Sequence, residues 1–126
     1  MATKKQMTGK RYTRTYVRSR GVYRGDHWGE IMTLTVQGKK VARARINFGE
    51  GSDGSDCQLG VRTGRTARLF NVFDSKRTVV KLGGTASRPT LSPGTGWRVA
   101  TAKDRSMLRA AGIGTDAIRF CAGWMS

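Results

Sequence analysis

The side chains best suited to chemistry lie at the start of the chain. All three tyrosines, Tyr12, Tyr16 and Tyr23, fall within the first 25 residues, which hold eight Lys/Arg and no Asp or Glu. In an extended chain, side chains alternate between two faces, so Tyr12, Arg14, Tyr16, Arg18 and Arg20 share one side. Aromatic rings stack on nucleobases, and guanidinium groups neutralise phosphates. This pattern, with Arg11 and Arg24 beside it, predicts a basic Tyr/Arg arm over residues 1–25 that binds nucleic acid. The plainer alternative is a solvated basic tail whose tyrosines cap the core.

Other chemistries find less support. Gly49-Glu50-Gly51-Ser52-Asp53-Gly54 fits the G-x-G-x-x-G string of a phosphate cradle. A cradle needs a helix N-terminus behind it, whereas a strand pattern follows here and Glu50, Asp53 and Asp56 would repel an anion. An acidic hairpin loop is the expectation. Those carboxylates could hold Mg²⁺ or Ca²⁺, but they match no EF-hand spacing, so no cofactor or metal is expected and a metal-dependent nuclease ranks last. His27, the only histidine, stands between Asp26 and Trp28 with no second catalytic partner indicated. With no nucleophile elbow and no Walker loop, a non-enzymatic protein is expected. Cys57 and Cys121 lie in apolar alternations without metal-type spacing and read as reduced, buried thiols.

The elements that must position these groups have a period of two, which predicts a mainly β domain over residues 26–126. Met32, Leu34 and Val36 alternate with Thr33 and Thr35, and Ala42, Ala44 and Ile46 with Arg43 and Arg45. A turn at Gly38-Lys39-Lys40 that pairs 36 with 42 and 34 with 44 would give one dry face, with the two threonines beside the two arginines on the other. Further strands are expected around Cys57–Arg62, Thr66–Phe73, Arg77–Leu82, Trp97–Thr101 and Ala117–Trp124. One helix is expected from Ala102 to Ala111, with Thr101 as cap, Asp104 in its first turn and Gly112 as stop. Between Gly83 and Gly96, both prolines and a run of Gly, Ser and Thr read as a long mobile loop. About six strands in a small twisted antiparallel sheet or barrel follow, with an OB-like arrangement as one possibility.

Charge supports the same reading. The chain has 126 residues with 24 Lys/Arg against 8 Asp/Glu, a formal charge of +16, and half of that excess lies after residue 25. A field of this sign attracts polyanions, nucleic acid first and an anionic membrane surface second. No apolar run approaches the roughly 20 residues needed to span a bilayer, so no membrane partner is expected. The N-terminus lacks the apolar stretch of a secretory signal, which predicts a protein that stays in the cytoplasm or is packaged in a virion. Arg43, Arg45, Arg62, Arg68, Lys81, Arg98 and Arg119 recur opposite apolar positions, and Arg88 sits in the Gly/Pro loop. With the arm, these residues predict a largely sequence-independent binder of single-stranded DNA or RNA. Two readings compete with it: a self-assembling viral coat or genome-packaging protein, which would form a homo-oligomer through apolar patches or strand edges such as Ile31, Phe70, Val79 or Trp124-Met125, and a ribosome-associated protein.

Overall fold

The computed structural model describes residues 10–23, 26–48 and 55–125. Six long strands form a meander: β1 (Tyr12–Tyr23), β2 (Asp26–Gln37), β3 (Lys40–Phe48), β4 (Ser55–Thr63), β5 (Thr66–Asn71) and β6 (Arg77–Lys81). The short pieces β7 (Gly83–Gly84) and β8 (Pro89–Thr90) pair with each other, and β9 (Arg98–Val99) pairs with β1. The main sheet is antiparallel, in the order β6-β5-β4-β3-β2-β1-β9, with an edge at each end. It does not close into a barrel. From Tyr12 to Tyr23 the predicted arm is therefore a sheet strand, paired with β2 along its length and bulged at Arg20.

The β2–β3 register corrects the expected one. Gln37 pairs with Lys40, Val36 with Val41, Leu34 with Arg43 and Met32 with Arg45. The loop is only Gly38-Lys39, with Gly38 at φ 61°, the positive value that a two-residue type II′ hairpin asks of its first position. A one-residue slip exchanges the two faces of a strand. Arg43 and Arg45 thus share a face with Met32, Leu34 and Val36, while Thr33 and Thr35 lie with Ala42 and Ala44 on the other, fully buried.

Two helices cover that second face. Helix α1 (Ala102–Ala110) starts as predicted: Thr101 accepts from the Asp104 backbone N–H at 3.1 Å, and the Asp104 carboxylate accepts from the Thr101 N–H at 2.8 Å. The Arg98 guanidinium, with help from Thr101, holds the Asp104 carboxyl well below the usual carboxylate range. Leu108 is buried against Val17, Ile31, Ile46 and Ala100, but Met107 points to solvent rather than to the sheet. The segment expected to be the last strand is instead helix α2 (Ala117–Met125). Ala117, Ile118 and Cys121 pack on Ala42, Ala44 and Cys57 at helical spacing, a pattern that nine residues of mixed polarity fit as well as an alternating one.

Threonine hydroxyls seat this helix. Thr35 Oγ accepts from the Ala117 N–H at 2.8 Å, Thr33 Oγ donates to the Thr115 carbonyl at 2.5 Å, and Thr13 and Thr15 touch them from β1. A buried helix start needs partners for its free N–H groups, and the Thr35 hydroxyl and the Asp116 carboxylate accept from those of Ala117 and Arg119. Cys57 and Cys121 meet at the same interface and are joined as a disulfide, with Cα atoms 5.5 Å apart. That corrects the expected free thiols: the two become neighbours only through the docking of α2 on β4.

The first face is half covered. Residues 82–97 cross it from β6 to β9, burying Leu82, Leu91 and Pro89 over Leu34, Val36, Val41, Ala67 and Leu69. Each fully buried Leu or Val here stabilises the fold by about 1.5–3 kcal/mol. The segment expected to be a long loop is thus a strap pinned to the sheet at Pro89 and Leu91, with residues 83–88 exposed. Close approach of strands also constrains Gly60, where an added Cβ would lie 1.7 Å from the Arg68 carbonyl oxygen on β5. Gly60→Ala is expected to destabilise the protein by about 3 kcal/mol, read as a lowered urea midpoint. An unchanged midpoint would refute this account of the β4–β5 packing.

Candidate nucleic-acid interface

The other half of the first face, away from the strap, is open and polar. Across it run Arg18 on β1, Glu30 and Met32 on β2, Arg43, Arg45 and Asn47 on β3, and Asp56 and Gln58 on β4. Met32, Arg43, Arg45, Asp56 and Gln58 line a shallow hollow of about 140 Å³. The pivot is Glu30, which is 3 % exposed. Its carboxylate accepts from Arg18 NH2 on one side and from Arg45 Nε on the other, each at 2.5 Å. Arg18 also stacks over the Trp97 ring, 4.8 Å from its centroid, which ties the end of the strap to the polar half.

Each guanidinium has its own environment. The bond to Glu30 raises the Arg45 pKa, whereas burial lowers that of Arg43. Arg43 is steadied by a neutral group, its Nε donating to Gln58 Oε1 at 2.7 Å. It stays charged at neutral pH, since arginine is not deprotonated in proteins. Arg14 donates to the Tyr12 hydroxyl at 3.4 Å, which raises its pKa, and lies 5.8 Å from the centroid of the Tyr16 ring.

The structure gathers some of the predicted site residues and disperses others. Tyr12, Arg14, Arg18, Arg43, Arg45 and Arg62 share the first face. Tyr16 lies there too but is 4 % exposed, and its hydroxyl accepts from the Leu91 N–H at 3.1 Å. Its ring is core and anchors the strap, so it is not a stacking platform. Arg68 and Lys81 project from the opposite face beside Val61, Phe70 and Val79. Arg98 is engaged by Asp104, Arg11 by Asp116, and Arg88 and Arg119 are exposed on the strap and on α2. The Arg20 and Tyr23 side chains and all of Arg24 lie outside the described residues, as does the Gly49–Gly54 loop.

Residues 33–48 contain no Asp or Glu of their own, yet Glu30 neutralises Arg45 and Asp56 faces it across the β3–β4 pair. Sequence reasoning missed Glu30 because it precedes the apolar run of its strand, and the register alone carries it next to Arg18. Among the described residues no three His, Cys, Asp or Glu side chains gather as metal ligands, and no helix is long and apolar enough to cross a membrane. No protein-family model, curated protein or solved structure matches this chain.

Since Glu30 is buried between two cations, Glu30→Gln is expected to cost about 3 kcal/mol of stability. Arg45→Gln, at a side chain 43 % exposed, is expected to cost no more than about 1 kcal/mol. Denaturant unfolding of the two variants checks the pair; equal losses would remove Glu30 from its pivotal place.

Proposed function

We propose that this chain is a non-enzymatic, largely sequence-independent nucleic-acid-binding protein, and that the bound strand lies on the open half of the first face. The observation that carries the reading is the convergence there of Arg14 and Arg18 from β1 and Arg43 and Arg45 from β3, the two strands that flank β2, with only Glu30 and Asp56 as carboxylates of the cluster among the described residues. The helices cover the opposite face, so this is the broad sheet surface left for a ligand. Asn47 and Gln58 add amides that can donate to phosphate, sugar or base. Tyr12, half-buried at the margin, is the tyrosine positioned to offer a ring. The net charge of +16 supports long-range attraction of a polyanion to this surface.

The second reading, a self-assembling coat or genome-packaging subunit, is favoured by a separate observation. On the helix-bearing face the cover stops short of β5 and β6, leaving Val61, Phe70 and Val79 57 %, 45 % and 65 % exposed. They adjoin β6, an edge strand whose outer side has no strand beside it among the described residues. Clustered apolar side chains at an open strand edge are what a second subunit would cover. The two readings are compatible: the polar half of one face binds the polyanion, and the apolar margin of the other joins copies of the chain.

Arg43→Gln with Arg45→Gln is expected to weaken binding to a single-stranded oligonucleotide and to lower the salt slope of log K by roughly one for each lost phosphate contact. An identical slope would move the ligand off this surface. Size-exclusion chromatography with light scattering, on protein purified without nuclease, is expected to show an oligomer with a raised absorbance ratio of 260 to 280 nm. Val79→Asp should return it to a monomer. A wild-type monomer free of nucleic acid would overturn both readings.

A further inference from the structure

A second group of arginines sits at the hairpin end of the sheet, apart from the Glu30 cluster. Two hairpins of the same design meet there, Gly38-Lys39 between β2 and β3 and Gly64-Arg65 between β4 and β5, with the glycines at φ 61° and 60°. Each places a cation second in its loop. Beside them the strap begins, and β7 and β8 form a small hairpin of their own. Arg62, Gly64, Arg65, Leu82, Gly83, Thr85, Ala86 and Pro89 enclose a hollow of about 180 Å³.

These arginines, like Arg43 on Gln58 and Arg105 on the Ala100 carbonyl, are held by neutral acceptors. Arg62 donates through Nε to the Gly38 carbonyl at 3.0 Å and through NH1 to the Ala86 carbonyl at 2.6 Å. Arg65 donates through NH1 to the Gly84 carbonyl at 2.9 Å. Carbonyl oxygens orient a guanidinium without cancelling its charge. By contrast Arg18 and Arg45 share Glu30, Arg98 has Asp104 and Arg11 has Asp116. Among the described residues no carboxylate lies within ion-pair reach of Arg62 or Arg65, and the sequence has no Asp or Glu from 57 to 73 or from 75 to 103. Lys39 and Arg88 add charge of the same sign nearby.

We propose that this hollow is a phosphate site, and that on the nucleic-acid reading given above it takes a backbone phosphate of the bound strand. A guanidinium has more N–H donors than these carbonyl bonds use, and the remainder suit the fork geometry of a phosphate oxygen pair. Both side chains are oriented before the ligand arrives, which lowers the ordering cost of binding. The Thr85 hydroxyl accepts from the Arg88 N–H at 3.1 Å and keeps its own proton to donate. Arg65, absent from the residues singled out by sequence, belongs to the site because the β4–β5 turn brings it opposite Gly84.

The test compares wild type, Arg62→Gln with Arg65→Gln, and Arg65→Gln alone. The single variant gives up only one exposed bond, so its fold does not depend on the substitution. Binding of a labelled single-stranded oligonucleotide is followed from about 50 to 200 mM salt, and inorganic phosphate is titrated against the NMR signals of the two arginine Nε–H groups and the amides of Thr85 and Ala86. The salt slope is expected to fall by roughly two in the double variant and one in the single, and phosphate is expected to shift those signals in wild type. Equal slopes with no phosphate shifts overturn the site and leave the nucleic-acid reading standing. Phosphate shifts in a wild type that binds no oligonucleotide uphold the site and overturn that reading. If the variants lose binding to phosphatidylserine vesicles but not to the oligonucleotide, the assignment to nucleic acid falls.

Discussion

The two-residue loop Gly38-Lys39 governs the character of both faces of the sheet. By pairing Gln37 with Lys40 it sets Leu34 against Arg43 and Thr35 against Ala42. The small side chains Ala42, Ala44 and Cys57 then form a shallow floor on which α2 can lie close, while the buried Thr35 hydroxyl accepts from its first N–H and that of Thr33 donates to the Thr115 carbonyl just before it. A register one residue away would put arginine under the helices and leave their backbone groups without partners, at a cost of several kcal/mol. The hairpin therefore specifies helix docking as well as strand pairing, and it also decides which face is left for a ligand.

On that remaining face the chain uses arginine in two ways. At the polar half a buried carboxylate gathers cations: Glu30 holds Arg18 and Arg45 at opposite oxygens, and Trp97 stacks on Arg18. Those groups knit β1, β2, β3 and the end of the strap together, so their charge is partly spent on structure. At the hairpin end, Arg62 and Arg65 are oriented by carbonyl oxygens and keep their full charge. A count of basic residues cannot separate these roles. The separation depends on whether the positioning acceptor carries a negative charge.

Local signals were legible where the physics is local. Helix α1 could be read from Thr101 and Asp104 because a capping box is a contact between residues three apart. The strand character of residues 30–37 and 41–48 followed from alternation. Helix α2 was misread as a strand because its nine residues satisfy a period of two as well as one of 3.6, and the floor of Ala42, Ala44 and Cys57 that favours a helix is distant in sequence. Tyr16 and Arg14 look equivalent in the alternating pattern. Only the strap, which delivers the Leu91 N–H to one of them, makes Tyr16 core.

Composition and periodicity determined a mainly β, strongly basic chain with one capped helix, because charge excess and alternation are properties of neighbouring residues. Tertiary structure decided which alternate positions share a surface, that the Tyr/Arg segment from Tyr12 is a strand of the sheet, that Glu30 neutralises Arg45, and that Cys57 reaches Cys121. The physical reason is the same in each case. A strand's pattern fixes which residues go together on a side, but the pairing register and the segments that pack on each face determine which side is buried and which meets solvent.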